Sequence, residues 1–171
     1  MMTHAYIVGM TRTGKTHLAK ALVSAITKTG RGVIVYDPTL VGDGRDLDGW
    51  SGLVYSDWQR FGTSFWRSRG CFVVIDEAPD AFRDHRSEAI KMILRGRHRG
   101  HTCAMIAQRH ILMDKSARNQ ASQLFAFRVN PDDSEALAMD WNCAELRGCH
   151  QLRPRWYYRL AMHGTPRLEK L

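Results

Sequence analysis

A three-layer α/β sandwich around a mostly parallel sheet is what this chain predicts, on three observations. Helical and strand-like periodicities alternate along it. Its strand-like runs are apolar at nearly every position, as strands buried on both faces must be. Its turn signals fall directly after those runs. In a sheet of this kind ligands lie at the carboxyl ends of the strands, so the residues closing each apolar run are where function is to be sought.

The elements follow in order. His4 to Val8 (HAYIV) reads as the first strand, stopped by Gly9. From Thr16 to Lys28 the residues Leu18, Ala19, Leu22, Val23 and Ile26 recur at helical spacing, and Gly30 ends the helix. Gly32 to Tyr36 (GVIVY) is a second strand closed by Asp37-Pro38, and the glycine-bearing stretch from Val41 to Trp50 is a loop. Asp57 to Ser68 is a helix whose Trp58, Phe61, Phe65 and Trp66 share one side and belong to the core. Cys71 to Ile75 (CFVVI) is a third buried strand, and Asp80 to Leu94 reads as one helix. His101 to Ala107 and Gln123 to Val129 are further strands, Asp132 to Leu146 a helix, and Arg155 to Met162 a last strand at the sheet edge. No internal repeat interrupts this order. The expectation is one domain over 1–171, with a core at about 3–129 and a C-terminal helix and edge strand at about 131–163.

Composition bounds what this domain does. A chain of 171 residues, 44% hydrophobic, suffices for one compact unit that buries about 70% of its extended-chain surface. No apolar run reaches the ~20 residues of a bilayer span and no signal segment opens the chain, so a soluble protein is expected. Cys71, Cys103, Cys143 and Cys149 are scattered, which suits reduced thiols rather than disulfides. Cys143, Cys149 and His150 lack a paired C-x-x-C and a fourth ligand, so no metal is expected there. A formal charge of +8, from 25 Lys and Arg against 17 Asp and Glu, suits a polyanionic partner, nucleic acid foremost; the alternative is a basic surface that only confers solubility.

Position begins to decide. Gly9-Met10-Thr11-Arg12-Thr13-Gly14-Lys15-Thr16 satisfies G-x-x-x-x-G-K-[ST] between a strand and a helix, the context this phosphate-binding loop requires. Gly9 and Gly14 allow a turn in which successive N–H groups face phosphates. Lys15 supplies a point charge to the β and γ oxygens of ATP, Thr16 a hydroxyl to Mg²⁺, and the helix start a partial positive charge next to His17. Asp76-Glu77 closes CFVVI at the matching strand end. Asp76 is expected on the metal side and Glu77 as the residue that polarises the attacking water. Gln108 closes HTCAMIA, either as an ordinary strand terminus or facing the γ-phosphate. Arg95-Gly96-Arg97-His98-Arg99-Gly100-His101 is either a solvated basic turn, a DNA contact, or the source of an arginine acting on a neighbouring subunit's ATP. Arg109, His110, Lys115 and Arg118 are candidates for a DNA path or for a solvated loop.

The order of these motifs, from the P-loop through the apolar strand with Asp-Glu to Gly-Arg-His-Arg-Gly and strand-closing Gln-Arg, resembles the FtsK/HerA superfamily of DNA-pumping ATPases over about Thr3 to Val129. Its compactness is similar to the genome-packaging ATPases of tailless, membrane-containing phages, and conjugative coupling ATPases share the motif order. The resemblance implies a RecA/ASCE-like P-loop NTPase sheet. By position it makes Lys15 and Thr16 nucleotide ligands, Asp76 the metal-side acid, Glu77 the catalytic base, Arg97 the trans-acting finger and Gln108 the polar sensor. Arg95 and Arg99 flank Arg97 closely enough to compete for the finger role.

The resemblance further implies ATP and Mg²⁺ as ligands, double-stranded DNA as partner, and a homo-oligomeric ring, expected as a hexamer. The expected function is an ATP-hydrolysing motor that translocates DNA into a viral capsid. It would sit in the host cytoplasm or at a packaging vertex beside capsid or vertex proteins. The rivals are a phage morphogenesis or export ATPase, a conjugation-type DNA-transfer ATPase and, further off, a small-molecule P-loop kinase.

Overall fold

The computed structural model describes residues 4–171; the start of the expected core at Thr3 lies outside the described residues. The chain runs β1 (His4–Val8), α1 (Lys15–Thr27), β2 (Val33–Tyr36), β3 (Gly44–Arg45), β4 (Leu53–Tyr55), α2 (Trp58–Arg67), β5 (Phe72–Ile75), α3 (Ala78–Asp84) and α4 (Arg86–Gly96). A 3₁₀ turn at Arg97–Arg99 leads to β6 (Thr102–Ala107), α5 (Lys115–Arg118), β7 (Ala121–Ala126) and α6 (Pro131–Asp140). A second 3₁₀ segment at Ala144–Gln151 precedes β8 (Trp156–Ala161) and β9 (Arg167–Lys170).

The nine strands of the described residues form one sheet in the order β3-β4-β2-β5-β6-β1-β7-β8-β9. The six from β4 to β7 are parallel, while β3, β8 and β9 pair antiparallel at the two edges. The expected α/β three-layer sandwich with a mostly parallel sheet is therefore present, and the two sheet faces explain the continuous apolar runs. Tyr6, Val73, Ile75, Met105 and Leu124 point into a core shared with Phe61, Phe65, Phe82 and Met92 of the helices. Their neighbours Ile7, Val35, Val74, Ile106 and Phe125 point to the other face, under Leu18, Ala19 and Val23 of α1.

Four expectations are corrected. The helix expected over Asp80–Leu94 is two, broken at His85, whose ring stacks on Trp58 with centroids 4.8 Å apart. The helix expected over Asp132–Leu146 ends at Asp140 and gives way to the 3₁₀ segment. The strand from Trp156 is not the edge, because β9 pairs beyond it. The loop from Val41 to Trp50 contains β3, which opens the sheet's opposite edge. The core reading of α2 holds: Trp58, Phe61 and Phe65 are buried, and Asp57 caps the helix by accepting from the Arg60 N–H at 2.8 Å.

Candidate nucleotide site

The loop between β1 and α1 can be built only with glycine at its two ends. A Cβ at Gly9 would lie 2.6 Å from Phe127 Cβ, and Gly14 adopts φ 116°. Between them Arg12 also takes a positive φ of 64°. The Lys15 ammonium folds back to donate to the Met10 carbonyl at 2.9 Å, and the Thr13 hydroxyl donates to the same oxygen at 2.8 Å. Lys15 is buried, and burial lowers its pKa against the opposing pull of the Glu77 and Asp76 carboxylates. Met10, Thr11, Arg12 and His17 are exposed around this cradle, and Thr16 is half-buried at the first turn of α1.

The acidic pair lies next to it. β6 separates β5 from β1 in the sheet, so Asp76 and Glu77 at the end of β5 share the carboxyl edge with the loop. Asp76 is buried. Desolvation, reinforced by the charges of Asp37 and Glu77, pushes its carboxyl up to about 6, although it accepts from the Glu77 N–H at 2.9 Å. Glu77 holds a left-handed conformation, φ 47° and ψ 44°, to turn the chain from β5 into α3. For a side chain of this size such a conformation is strained by an energy on the order of 1 kcal/mol or more.

Gln108 joins these parts. Its amide donates to Glu77 Oε1 at 2.8 Å, and its carbonyl oxygen accepts from the Thr11 hydroxyl at 3.0 Å. The Gly-rich loop, the acidic pair and the closing residue of β6 thus form one hydrogen-bonded line. Asp37 is a member that motif spacing missed. It is buried at the end of β2, accepts from Trp50 Nε1 at 3.0 Å and from the Thr39 hydroxyl at 2.7 Å, and adds negative charge beside Asp76. The available signal was that GVIVY ends in an acid just as CFVVI does, and the register pairs Tyr36 with Ile75.

The arginine turn is elsewhere. Arg97 precedes β6 and Gln108 follows it, so a six-residue strand, about 20 Å long, separates them. Arg97 therefore cannot reach the Glu77 of its own chain. Arg99 is half-buried with its guanidinium 5.7 Å from the Trp66 ring centroid, whereas Arg95 and Arg97 are exposed. Most of the basic residues after Gln108 are spent internally. Arg109 pairs with Asp132 and Asp133, His110 is buried against Asp140 and Arg118 also pairs with Asp140, leaving Lys115 exposed. No helix among the described residues is long and apolar enough to cross a membrane.

No protein-family model matches the sequence, and no curated protein does either. Solved structures do. The genome packaging NTPase B204 from Sulfolobus turreted icosahedral virus 2, in complex with AMPPCP, is 16% identical, with 99% of this chain and 97% of that one covered and a TM-score of 0.81. The pCW3 conjugation coupling protein TcpA, bound to ATPγS, is 12% identical over 99% of this chain and 60% of that one, with a TM-score of 0.75. VirB4 of Thermoanaerobacter pseudethanolicus is 12% identical over 98% and 89%, with a TM-score of 0.70. At these identities what is shared is the architecture: this chain has the P-loop ATPase fold of a viral packaging NTPase and of a conjugation coupling protein.

Proposed function

We propose that this protein is an ATP-hydrolysing motor that moves double-stranded DNA, acting in the packaging of a viral genome. The observation that carries the proposal is the Thr11–Gln108–Glu77 line, which couples phosphate cradle, sensor and acid across residues far apart in sequence. In this reading Lys15 and the N–H groups from Gly9 to Thr16 hold the phosphates, with His17 behind them. Gln108 fixes Glu77 through Oε1, leaving Oε2 to accept a proton from the attacking water.

The residues fit Mg²⁺. Among the described residues no cluster of three or more His, Cys, Asp or Glu could hold a metal ion. A P-loop ion needs none, since phosphates and water complete its shell. Thr16 and Asp76 would hold it, and Asp76, crowded by two other acids and desolvated, is the carboxylate most relieved by a dication. When bound, Mg²⁺ neutralises charge on the transferred phosphoryl group.

Arg97 serves the ATP of the next subunit, which makes a ring, expected as a hexamer, the active form. The higher TM-score with B204, 0.81 against 0.75 for TcpA, favours a packaging motor over a conjugation ATPase. One P-loop domain over 1–171 fits this reading, with β8 and β9 extending the same sheet. The proposed setting is the host cytoplasm and the packaging vertex, beside capsid or vertex proteins.

Phosphate release measured with and without duplex DNA, over a salt series, tests the proposal. DNA-stimulated release that weakens steeply with salt and disappears in Lys15→Ala is expected. Release indifferent to DNA would point to a morphogenesis or export ATPase, and a phosphorylated acceptor in place of free phosphate would point to a kinase.

A further inference from the structure

The sheet order gives the nucleotide a direction. Asp76, Glu77 and Gln108, which mark the γ-phosphate end, stand over β5 and β6 on one side of β1; β7, β8 and β9 lie on the other. A triphosphate gripped by the loop after β1 must therefore send its ribose and base toward β7, β8 and β9. Because β8 runs antiparallel to β7 and β9 antiparallel to β8, the start of β8 and the end of β9 come to the nucleotide edge of the sheet. Arg155 stands just before β8, and Leu171 just after β9.

A cleft of about 260 Å³ opens there, lined by Arg12, Lys15, His17, Arg155 and Leu171 together with Gly14 and Thr16 of the loop. Four of its lining side chains are basic: Arg12, Lys15, His17 and Arg155. The Arg155 backbone is fastened on both sides: its N–H donates to the Thr13 carbonyl at 3.1 Å, and its own carbonyl accepts from the Leu171 N–H at 2.9 Å. Leu171 reaches back over the Gly-rich loop, so that a Cβ on Gly14 would meet its Cδ1 at 2.7 Å. Arg155 holds φ 68°, a conformation that glycine or asparagine adopts more easily. The backbone requirement alone does not call for arginine, which directs attention to the side chain.

We infer that Arg155 is a nucleotide-binding residue, whose guanidinium packs on the base and ribose of ATP at the cleft between the Gly-rich loop and the start of β8. A planar, weakly hydrated cation suits the face of a base. The seat of the nucleoside is then built by β8 and β9, outside the phosphate-binding motif. This inference rests on the ATPase reading and adds to it the residue that separates a nucleotide from bare polyphosphate.

Two ligands and two variants test it, by titration calorimetry with ATP and with inorganic tripolyphosphate. Arg155→Ala removes the side chain, and Arg155→Gly removes it while relaxing the positive φ, so a loss common to both is not a backbone effect. The expected result is an ATP Kd raised about tenfold in both variants, with tripolyphosphate binding unchanged. ATP affinity equal to the parent's, or tripolyphosphate weakened as much as ATP, overturns the inference. Lys15→Ala must weaken both ligands; if the parent binds neither, or Lys15→Ala weakens neither, the P-loop reading itself fails and takes this inference with it.

Discussion

At its carboxyl end β6 delivers Gln108 into hydrogen bonds with Glu77 and Thr11, whereas at its amino end it starts beneath an exposed turn that carries Arg95 and Arg97. The first end is wired inward at the level of side chains. At the second, the side chains of Arg95 and Arg97 are exposed above a fixed backbone: Gly100 N–H donates to the Arg97 carbonyl, His101 N–H to Gly96 and Gly70 N–H to Arg99, each at 2.9–3.0 Å. A group whose partners lie within the chain works within the chain. A cation held out on a fixed backbone is preorganised for something outside it, such as a second copy's phosphates.

The largest expected effect tests whether the two ends meet across subunits. Glu77→Gln and Arg97→Ala should each lower DNA-stimulated turnover by about 10³ when assayed alone. Mixed and reassembled, they should recover activity, because a site with intact Glu77 can face a neighbour with intact Arg97. In a random equal mixture about a quarter of the interfaces are of this kind. Phosphate release that stays at the level of the single variants would place Arg97 outside the site.

The inward end also carries a penalty that the outward end lacks. The folded-state pKa of Asp76, about 6, is above its unfolded value near 3.8, so the folded protein binds more protons between those values. Its contribution to stability is thus fully present below pH ~4 and is lost as pH rises through about 6, a change on the order of 3 kcal/mol. Asp76→Asn should remove this dependence and raise the stability of the ligand-free protein at pH 7 while impairing hydrolysis. Urea midpoints of parent and variant at pH 4, 5, 6 and 7 check this, and two parallel curves would contradict it.

Gln108 keeps its aim through a further connection. The residues after it are strapped to α6: Arg109 pairs with Asp132 and Asp133, and the Ile111 N–H donates to Asp133 at 2.9 Å. Asp133 is fully buried, so Asp133→Ala strands the Ile111 N–H and leaves Arg109 with Asp132 of this pair of acids. A loss of about 2 kcal/mol in chemical denaturation is expected. The same variant should lower kcat more than it changes nucleotide affinity, because it moves the sensor and leaves the cradle intact; equal kcat in parent and variant would argue against that link.

What the sequence disclosed follows from where physical constraint is local. The five parallel strands other than β4 were visible because burial on both faces forces unbroken apolar runs, and the cradle because only glycine meets its backbone. β4 is three residues among polar neighbours, and the exposed β9 (RLEK) has no buried face to write a pattern. The break at His85 depends on stacking against a tryptophan 27 positions away. In the site, Lys15, Thr16, Asp76 and Glu77 stand in motifs, and Thr11 lies in the Gly-rich loop, but its bond to Gln108 and the place of Asp37 beside Asp76 emerge only once β2, β5, β6 and β1 are laid side by side. The basic residues after Gln108 misled for the same reason, since their acidic partners are in α6.

Arg31 offers the finest test of the contrast between the ends of β6. Its guanidinium donates to the carbonyls of Gly70, Cys71 and Gly100 and to the Thr102 hydroxyl, so one planar cation fastens the starts of β5 and β6 beneath the arginine turn. Lysine keeps the charge but cannot span these acceptors. Because the group is partly solvated, Arg31→Lys should cost only about 1 kcal/mol in denaturant unfolding. If the turn is a platform for a partner, the informative change is elsewhere: turnover should fall in the assembled particle while ATP affinity stays at the parent's value, since the cradle is at the far end of the strand. Lower ATP affinity would show that the two ends are not independent, and unchanged turnover that the turn needs no such support.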